Sequence, residues 1–230
     1  MKSLFYSYDM AVDRAYIIRI PGHEVSERKA NEAAKSCASI GMPYQFWDAY
    51  NGIANPIEPP AHHSQVMKLI KVTNPRLSRG EVACALSHIS LWAKCIEDDK
   101  PLVILEHDAI MTAPYREHAL LNSICFLGCH EQALKGWRVQ STPPHATDGP
   151  NYHFICRAHA YAIDSIVAKN LLAHVIQMGI QTSLDMLIRA DLFPIHQMSL
   201  NAYDMQDGQT TILNRTRDFS PDIRNDNFAA

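Results

Sequence analysis

Between residues 14 and 50 the apolar pattern changes period twice, and that change confines the chain to a small set of folds. Arg14-Ala-Tyr-Ile-Ile-Arg-Ile20 is a β-branched and aromatic run closed by Pro21-Gly22, which reads as a strand and a turn. Val25, Ala30, Ala33, Ala34, Cys37 and Ile40 then recur at helical spacing, with Gly41 where the helix should stop. Tyr44 to Tyr50 returns to strand character. Strand, helix and strand within about 35 residues make a βαβ unit, whose strands lie parallel and whose crossover is right-handed.

The alternation continues. Asn51 to Ser64, with three prolines and the pair His62-His63, is irregular surface chain; a short helix near Gln65 to Lys71 and the turn Asn74-Pro75 follow. From Gly80 a long helix is written by Val82, Ala85, Leu86, Ile89, Ala93 and Ile96, ending at Glu97-Asp-Asp-Lys-Pro101. Acids at a helix C-terminus oppose its dipole, so that end should lie in solvent. Leu102-Val-Ile-Leu105 is a continuous apolar run of the kind found in buried parallel strands.

Beyond it the pattern predicts a helix from Tyr115 to Ser123, a strand at Trp137 to Gln140 and a polar loop from Ser141 to Asn151 suited to a lid. Strands at His153 to Arg157 and Ala160 to Ile163 come next, then a helix capped by Asp164 and closed by Gly179. A short helix at Leu184 to Ala190 and an extended run at Pro194 to Leu200 complete the pattern. The expectation is one α/β domain over residues 1–205, with a polar C-terminal tail over 206–230.

Composition narrows the function classes. An apolar fraction of 47% in 230 residues excludes disorder, collagen and a disulfide scaffold. With 21 Lys+Arg against 24 Asp+Glu, the net charge of −3 argues against a surface that grips a nucleic-acid backbone along its length. A local basic groove through Lys68, Lys71, Arg76 and Arg79 stays open. The first residues lack the apolar core of a signal peptide, and no run approaches the roughly 20 apolar residues of a membrane span, so the chain reads as cytoplasmic. Its six cysteines, scattered through apolar contexts, read as reduced thiols. Cys125-x-x-x-Cys129-His130 has metal-like residues but no second ligand pair.

Chemistry concentrates after the apolar run. In an open parallel sheet, ligands bind outside the carboxyl ends of the strands. Glu106 and Asp108 stand there one residue apart, an arrangement suited to a hard divalent cation that also holds phosphates, although a strand-end turn whose acids meet water has the same spelling.

Leu77-Ser-Arg-Gly-Glu-Val-Ala-Cys-Ala-Leu-Ser-His-Ile-Ser-Leu-Trp92, followed by Val103-Ile-Leu-Glu-His-Asp-Ala109, resembles the signature of glycosyltransferase family 25, which includes lipooligosaccharide and collagen galactosyltransferases. That family's pattern is a GE-x-AC-x-SH-x-x-LW helix and a strand ending in LEDD. Ser26-Glu-Arg28, Asp48-Ala with Asn51-Gly52, His159-Ala-Tyr161 and Asp185 are similar to its other blocks. The resemblance implies a GT-A-like (Rossmann-like) mixed, mostly parallel sheet flanked by helices. It also implies a nucleotide-sugar donor, usually UDP-linked, a divalent metal (Mn²⁺ or Mg²⁺) and inversion at the anomeric carbon, which needs a general base on the acceptor hydroxyl. One departure stands out: His107 replaces the middle acid. Alternation along an extended segment sets Glu106 and Asp108 on one side and His107 on the other, which keeps the metal reading.

The resemblance also gives roles to residues that have plainer readings. Asp108 becomes a metal ligand, with Glu106 a second ligand or a partner of the donor ribose. Arg28, otherwise a surface arginine on a charged helix, becomes a phosphate contact. Glu81, Ser87 and His88 share a face of the long helix and line the donor site; His88 alone reads equally as a core histidine. Asp185, otherwise an acid at a helix start, becomes the general base, and His196 a further metal ligand. The implied acceptor is a surface glycan such as lipopolysaccharide, with peripheral membrane association left open. The alternatives are a phage-type transferase acting on a hydroxylated DNA base, and a sugar-nucleotide or glycan-binding module without activity.

Overall fold

The computed structural model describes residues 12, 14–61, 64–115, 123–128, 140–141, 158–197 and 201–205. The opening βαβ unit is present as β1 (Ala15–Arg19), α1 (Glu24–Ser39) and β2 (Tyr44–Asp48), with β1 and β2 parallel. A 3-10 turn over Gln65–Leu69 leads to α2 (Arg79–Asp98) and β3 (Leu102–Leu105). After β4 (Ala109–Met111) and β5 (Ile124–Phe126) come β6 (Gln140–Ser141), β7 (Ala160–Ile163) and α3 (Ser165–Met178). The described chain ends in α4 (Leu184–Leu187), β8 (Ile195–Gln197) and β9 (Ala202–Asp204).

Seven strands form one sheet in the order β2-β1-β3-β7-β5-β8-β6, and β4 pairs with β9 in a separate ribbon. The fold is mixed α/β. β1–β2, β1–β3 and β5–β8 are parallel, whereas β3–β7, β5–β7 and β6–β8 are antiparallel. Half of the pairings therefore depart from the mostly parallel sheet expected, two because β7 enters between β3 and β5 in the opposite sense and one because β6 runs against β8 at the edge.

Two apolar layers cover the sheet. Ile17, Val103, Leu105, Cys125 and Ala162 face α1 through Ala30, Ala33, Ala34 and Cys37. Tyr16, Ile18, Ile104 and Tyr161 face α2 and α3 through Leu86, Ile89, Trp92, Ala168 and Leu171. With β1 between β2 and β3, the chain steps outward through α1 on one face and returns through α2 on the other. The strand order thus reverses between β1 and β3, and the two connections diverge there to leave a crevice at the carboxyl ends.

α2 is the best-specified element. Ser78 Oγ accepts from Glu81 N while Glu81 Oε2 accepts from Ser78 N at 2.9 Å, a complete capping box. At the other end Asp99 adopts a left-handed conformation (φ 50°), and residues 97–100 are exposed, as their acidity requires. α3 starts at N-cap Asp164, whose carboxylate accepts from Ile166 N and Val167 N, and Gly179 follows Met178 with φ 75°.

Cys37, Cys84, Cys95 and Cys125 carry no disulfide. Cys129, His130, His62-His63, the strand expected at His153 to Arg157, the Ser141 to Asn151 loop beyond Ser141, most of the helix expected from Tyr115 and the tail 206–230 lie outside the described residues. Among the described residues no helix is long and apolar enough to cross a membrane.

Candidate active site

β3 delivers its acids to the crevice through a tight turn. Glu106 N donates to His159 O at 2.8 Å, tying the strand end to the residue before β7, and Ala109 N donates back to Glu106 O at 3.0 Å. Residues 106–108 therefore form a turn, not an extended segment, which corrects the alternation expected for Glu106, His107 and Asp108. His107 does not sit apart from the acids: its charge, when present, acts on Asp108. Asp108 is held from behind by Met205 N, which donates to its carbonyl at 2.9 Å.

α2 presents Cys84 and His88, one turn apart, to Glu106. His88 is 1% exposed, its Nδ1 lies 2.9 Å from the Tyr161 hydroxyl, and its ring stacks on Tyr161 with centroids 5.6 Å apart. Tyr161 in turn accepts from Trp92 Nε1 at 2.9 Å. His88 Nε2 lies 3.4 Å from Glu106 Oε1 without making a hydrogen bond, and among the described residues the buried Nε2 has no hydrogen-bond partner. Cys84 Sγ reaches the same oxygen at 4.0 Å.

The electrostatics of this cluster are strained by crowding of like charges. Burial first, then Asp185 and Asp204, push the Glu106 carboxyl up from about 4.5 to about 7, with His159 opposing. Asp108 is raised by burial and by Glu106, while His107 and Lys29 hold it down. Burial and the surrounding carboxylates raise the Cys84 thiol well above its ordinary range, and burial lowers His88 from 6.5 to about 3, so the imidazole is neutral.

Of the residues read from sequence, Glu106, Asp108, His88 and Asp185 come together. Asp185, in the first turn of α4, uses Oδ1 to accept from Ala158 N at 2.9 Å and acts on Glu106, His88 and Cys84. Glu81 is committed to the capping box, although its charge is felt at Cys84. Ser87 is turned to the other side of α2: its hydroxyl accepts from Tyr50 N at 2.9 Å and donates to Ala83 O at 2.7 Å, so it anchors the end of β2 and does not line the crevice. Arg28 is exposed on α1; the cation of that helix that acts on Asp108 is its fully buried neighbour Lys29.

His196 is not brought to the cluster. It is level with Cys125, which is level with Ala162 and Val103, two residues short of the end of β3 and three strands away. At ~4.8 Å per strand the lateral separation alone is about 14 Å, beyond the reach of a shared ion. Sequence reasoning missed Lys29, Cys84, His159 and Asp204. Lys29, Cys84 and His159 had a signal, since Lys29 shares a helix face with Ala33 and Cys37, Cys84 precedes His88 by four, and His159 opens a block that resembles the family; Asp204 is placed by strand pairing alone.

A divalent cation fits this donor set. Asp108 Oδ1 is buried with no hydrogen-bond partner among the described residues, and it sits beside carboxylates whose mutual repulsion a cation would relieve. Oxygen donors suit a hard ion.

The fold and site together define a mixed α/β protein whose acids gather at the reversal of its strand order, the place where ligands bind in open α/β sheets. The chain belongs to glycosyltransferase family 25 (LPS biosynthesis protein), whose pattern it matches over residues 14–131, a span that takes in β1, α2, the acids after β3, and β5. It is 19% identical over 196 residues to the lipooligosaccharide biosynthesis protein lic2B of Haemophilus influenzae, a match spanning 76% of this chain and 67% of that protein. A crystallised glycosyltransferase involved in glycosylation of the major capsid of PBCV-1 aligns with 70% of this chain at 11% identity and a TM-score of 0.33. This chain spans about 65% of that structure's length.

Proposed function

We propose that this chain is an inverting glycosyltransferase of the GT-A type, acting as a single domain over residues 1–205. It moves a hexose from a nucleotide-sugar, UDP-linked, to the hydroxyl of a surface glycan such as lipopolysaccharide, working in the cytoplasm or peripherally at the membrane face. The observation that carries this reading is the buried, unpartnered Oδ1 of Asp108 among crowded carboxylates at the reversal point of the sheet.

Asp108 and Glu106 would hold Mn²⁺ or Mg²⁺, which when bound supplies positive charge against the diphosphate leaving group. Lys29 adds fixed positive charge beside Asp108, and Arg28 at the exposed face of α1 is a donor-phosphate contact. Asp185 is the base. Ala158 N fixes one of its oxygens, which orients the other to accept a proton as the acceptor oxygen bonds to the anomeric carbon and the sugar–phosphate bond breaks. His88, neutral and clamped by Tyr161, lies 3.4 Å from Glu106 and adds no charge there.

Donor turnover measured with Mn²⁺ tests the reading. Wild type should release nucleoside diphosphate from a UDP- or GDP-sugar and place the sugar on an added glycan, and Asp108→Ala should lose at least 100-fold of that rate. Absence of metal-dependent turnover with every such donor overturns it. Turnover that yields only free sugar whether or not glycan is present makes the protein a hydrolase instead.

A further inference from the structure

The crevice holds a second set of donor atoms, which shares Glu106 with the transfer site and adds Cys84 and His88, two side chains that the transfer chemistry does not use as ligands. A thiol sulfur of Cys84, an imidazole nitrogen of His88 and a carboxylate oxygen of Glu106 all lie within 4.8 Å of one another. Glu106 Oε1 is 3.4 Å from His88 Nε2 and 4.0 Å from Cys84 Sγ. A tetrahedral ion with bonds of ~2.3 Å to sulfur and ~2.0 Å to nitrogen and oxygen has ligand–ligand edges of about 3.3–3.5 Å, so small side-chain adjustments close the site.

Two further observations point to a ligand. His88 Nε2 is buried and unpartnered on the side of this cluster, while Nδ1 is fixed by Tyr161, whose hydroxyl is itself fixed by Trp92. That is the outer-shell arrangement that orients a ligating imidazole. Access is also provided, because Glu106 keeps 27% of its side-chain surface exposed whereas His88 is sealed behind it.

We propose that Cys84, His88 and Glu106 form a site for a thiophilic divalent ion of the Zn²⁺ class, which competes with the all-oxygen site at Asp108 for Glu106 and has its fourth position open to the crevice. Sulfur and imidazole favour such an ion over Mg²⁺ and Mn²⁺. Binding displaces one proton from Cys84 Sγ to solvent, since the thiolate is the ligand. It also fixes the Glu106 carboxylate against α2, away from Asp108. Zn²⁺ should therefore inhibit Mn²⁺-dependent transfer; this consequence rests on the proposed transferase reading, whereas binding does not.

Cobalt substitution in the full chain tests the site. Metal-free wild type titrated with Co²⁺ should develop a sulfur-to-cobalt charge-transfer band and the intense visible bands of tetrahedral cobalt at one equivalent, both bleached by Zn²⁺. Cys84→Ser should lose the charge-transfer band, His88→Gln should weaken binding at least tenfold, and Asp108→Asn should keep the spectrum. Circular dichroism checks that each variant is folded, with Cys84→Ala replacing Cys84→Ser if needed. Only a weak octahedral spectrum in wild type, or a charge-transfer band that survives both Cys84 substitutions, overturns the site. Metal-dependent turnover without the bands leaves the transferase reading standing and removes this one; bands without turnover do the reverse.

Discussion

His88 and Glu106 face each other across 3.4 Å with opposite demands on a proton. Lowered to about 3, His88 favours folding when neutral, so its contribution is present above 6.5 and fades as pH falls toward 3. Glu106, raised to about 7, does the opposite: its contribution is complete below about 4.5 and is lost as pH rises toward 7. Between pH 6.5 and 4.5 the two slopes oppose each other in the metal-free protein. Glu106→Gln removes one of them, and thermal melts from pH 7.5 to 4 should show a steeper loss of stability on acidification than in wild type. A parallel pair of curves would refute the opposition. Tyr161→Phe should be costly for a related reason. It deletes the acceptor of Trp92 Nε1 and the partner of His88 Nδ1, both buried, and each group left unsatisfied costs about 1–3 kcal/mol, read by denaturant unfolding. Glu106 and Asp108 were legible in the sequence because they follow an apolar run that has to be buried. Lys29 was not, since a lysine among Glu27, Arg28 and Glu32 looks solvated; only its register with Ala33 and Cys37 places it against the sheet.

Elements long enough to carry a period were legible, and elements held only by pairing were not. α1, α2 and α3 each span several turns, and β1 and β2 announce themselves by β-branched and aromatic runs. β4, β5 and β9 have three residues each, too few for alternation to appear, and their positions come from partners such as Ala109↔Asp204 and Cys125↔Ala162. The antiparallel sense of β7 is likewise invisible in its four apolar residues. Gly128, just beyond β5, shows what these contacts require. An added Cβ would collide with Ala202 O and lie 2.8 Å from His159 Nε2, while Leu127 O accepts from Asn201 N and Ala202 N beside it. Gly128→Ala should cost about 1–3 kcal/mol by forcing the backbone apart, measured by chemical denaturation. It should also lower donor turnover, because His159 O holds Glu106 N. Ser78→Ala, which opens the α2 capping box, should cost only about 1 kcal/mol.

At the scale of the molecule, the net charge of −3 is less informative than where the acids meet. Glu106, Asp108, Asp185 and Asp204 come from a turn, a short helix and a ribbon that are far apart in sequence, and the fold brings Asp185 and Asp204 close enough to raise the Glu106 carboxyl, and Glu106 close enough to raise Asp108. Folding the ion-free chain near neutral pH therefore works against carboxylate repulsion, and a cation bound only by the folded state recovers that cost. At a concentration 100 times its dissociation constant such an ion stabilises by about 2.7 kcal/mol. For a domain of this size that corresponds to a rise in Tm of roughly 5–10 °C. Mn²⁺ added at pH 7.5 should produce a shift of that order, chelation should reverse it, and Asp108→Asn should abolish most of it. His196→Ala should leave it intact, because two strands, β7 and β5, lie between β3 and the strand that carries His196. Equal shifts in wild type and Asp108→Asn would mean that the cation binds elsewhere, and a shift lost in His196→Ala would mean that the sheet register around β8 differs from the one described.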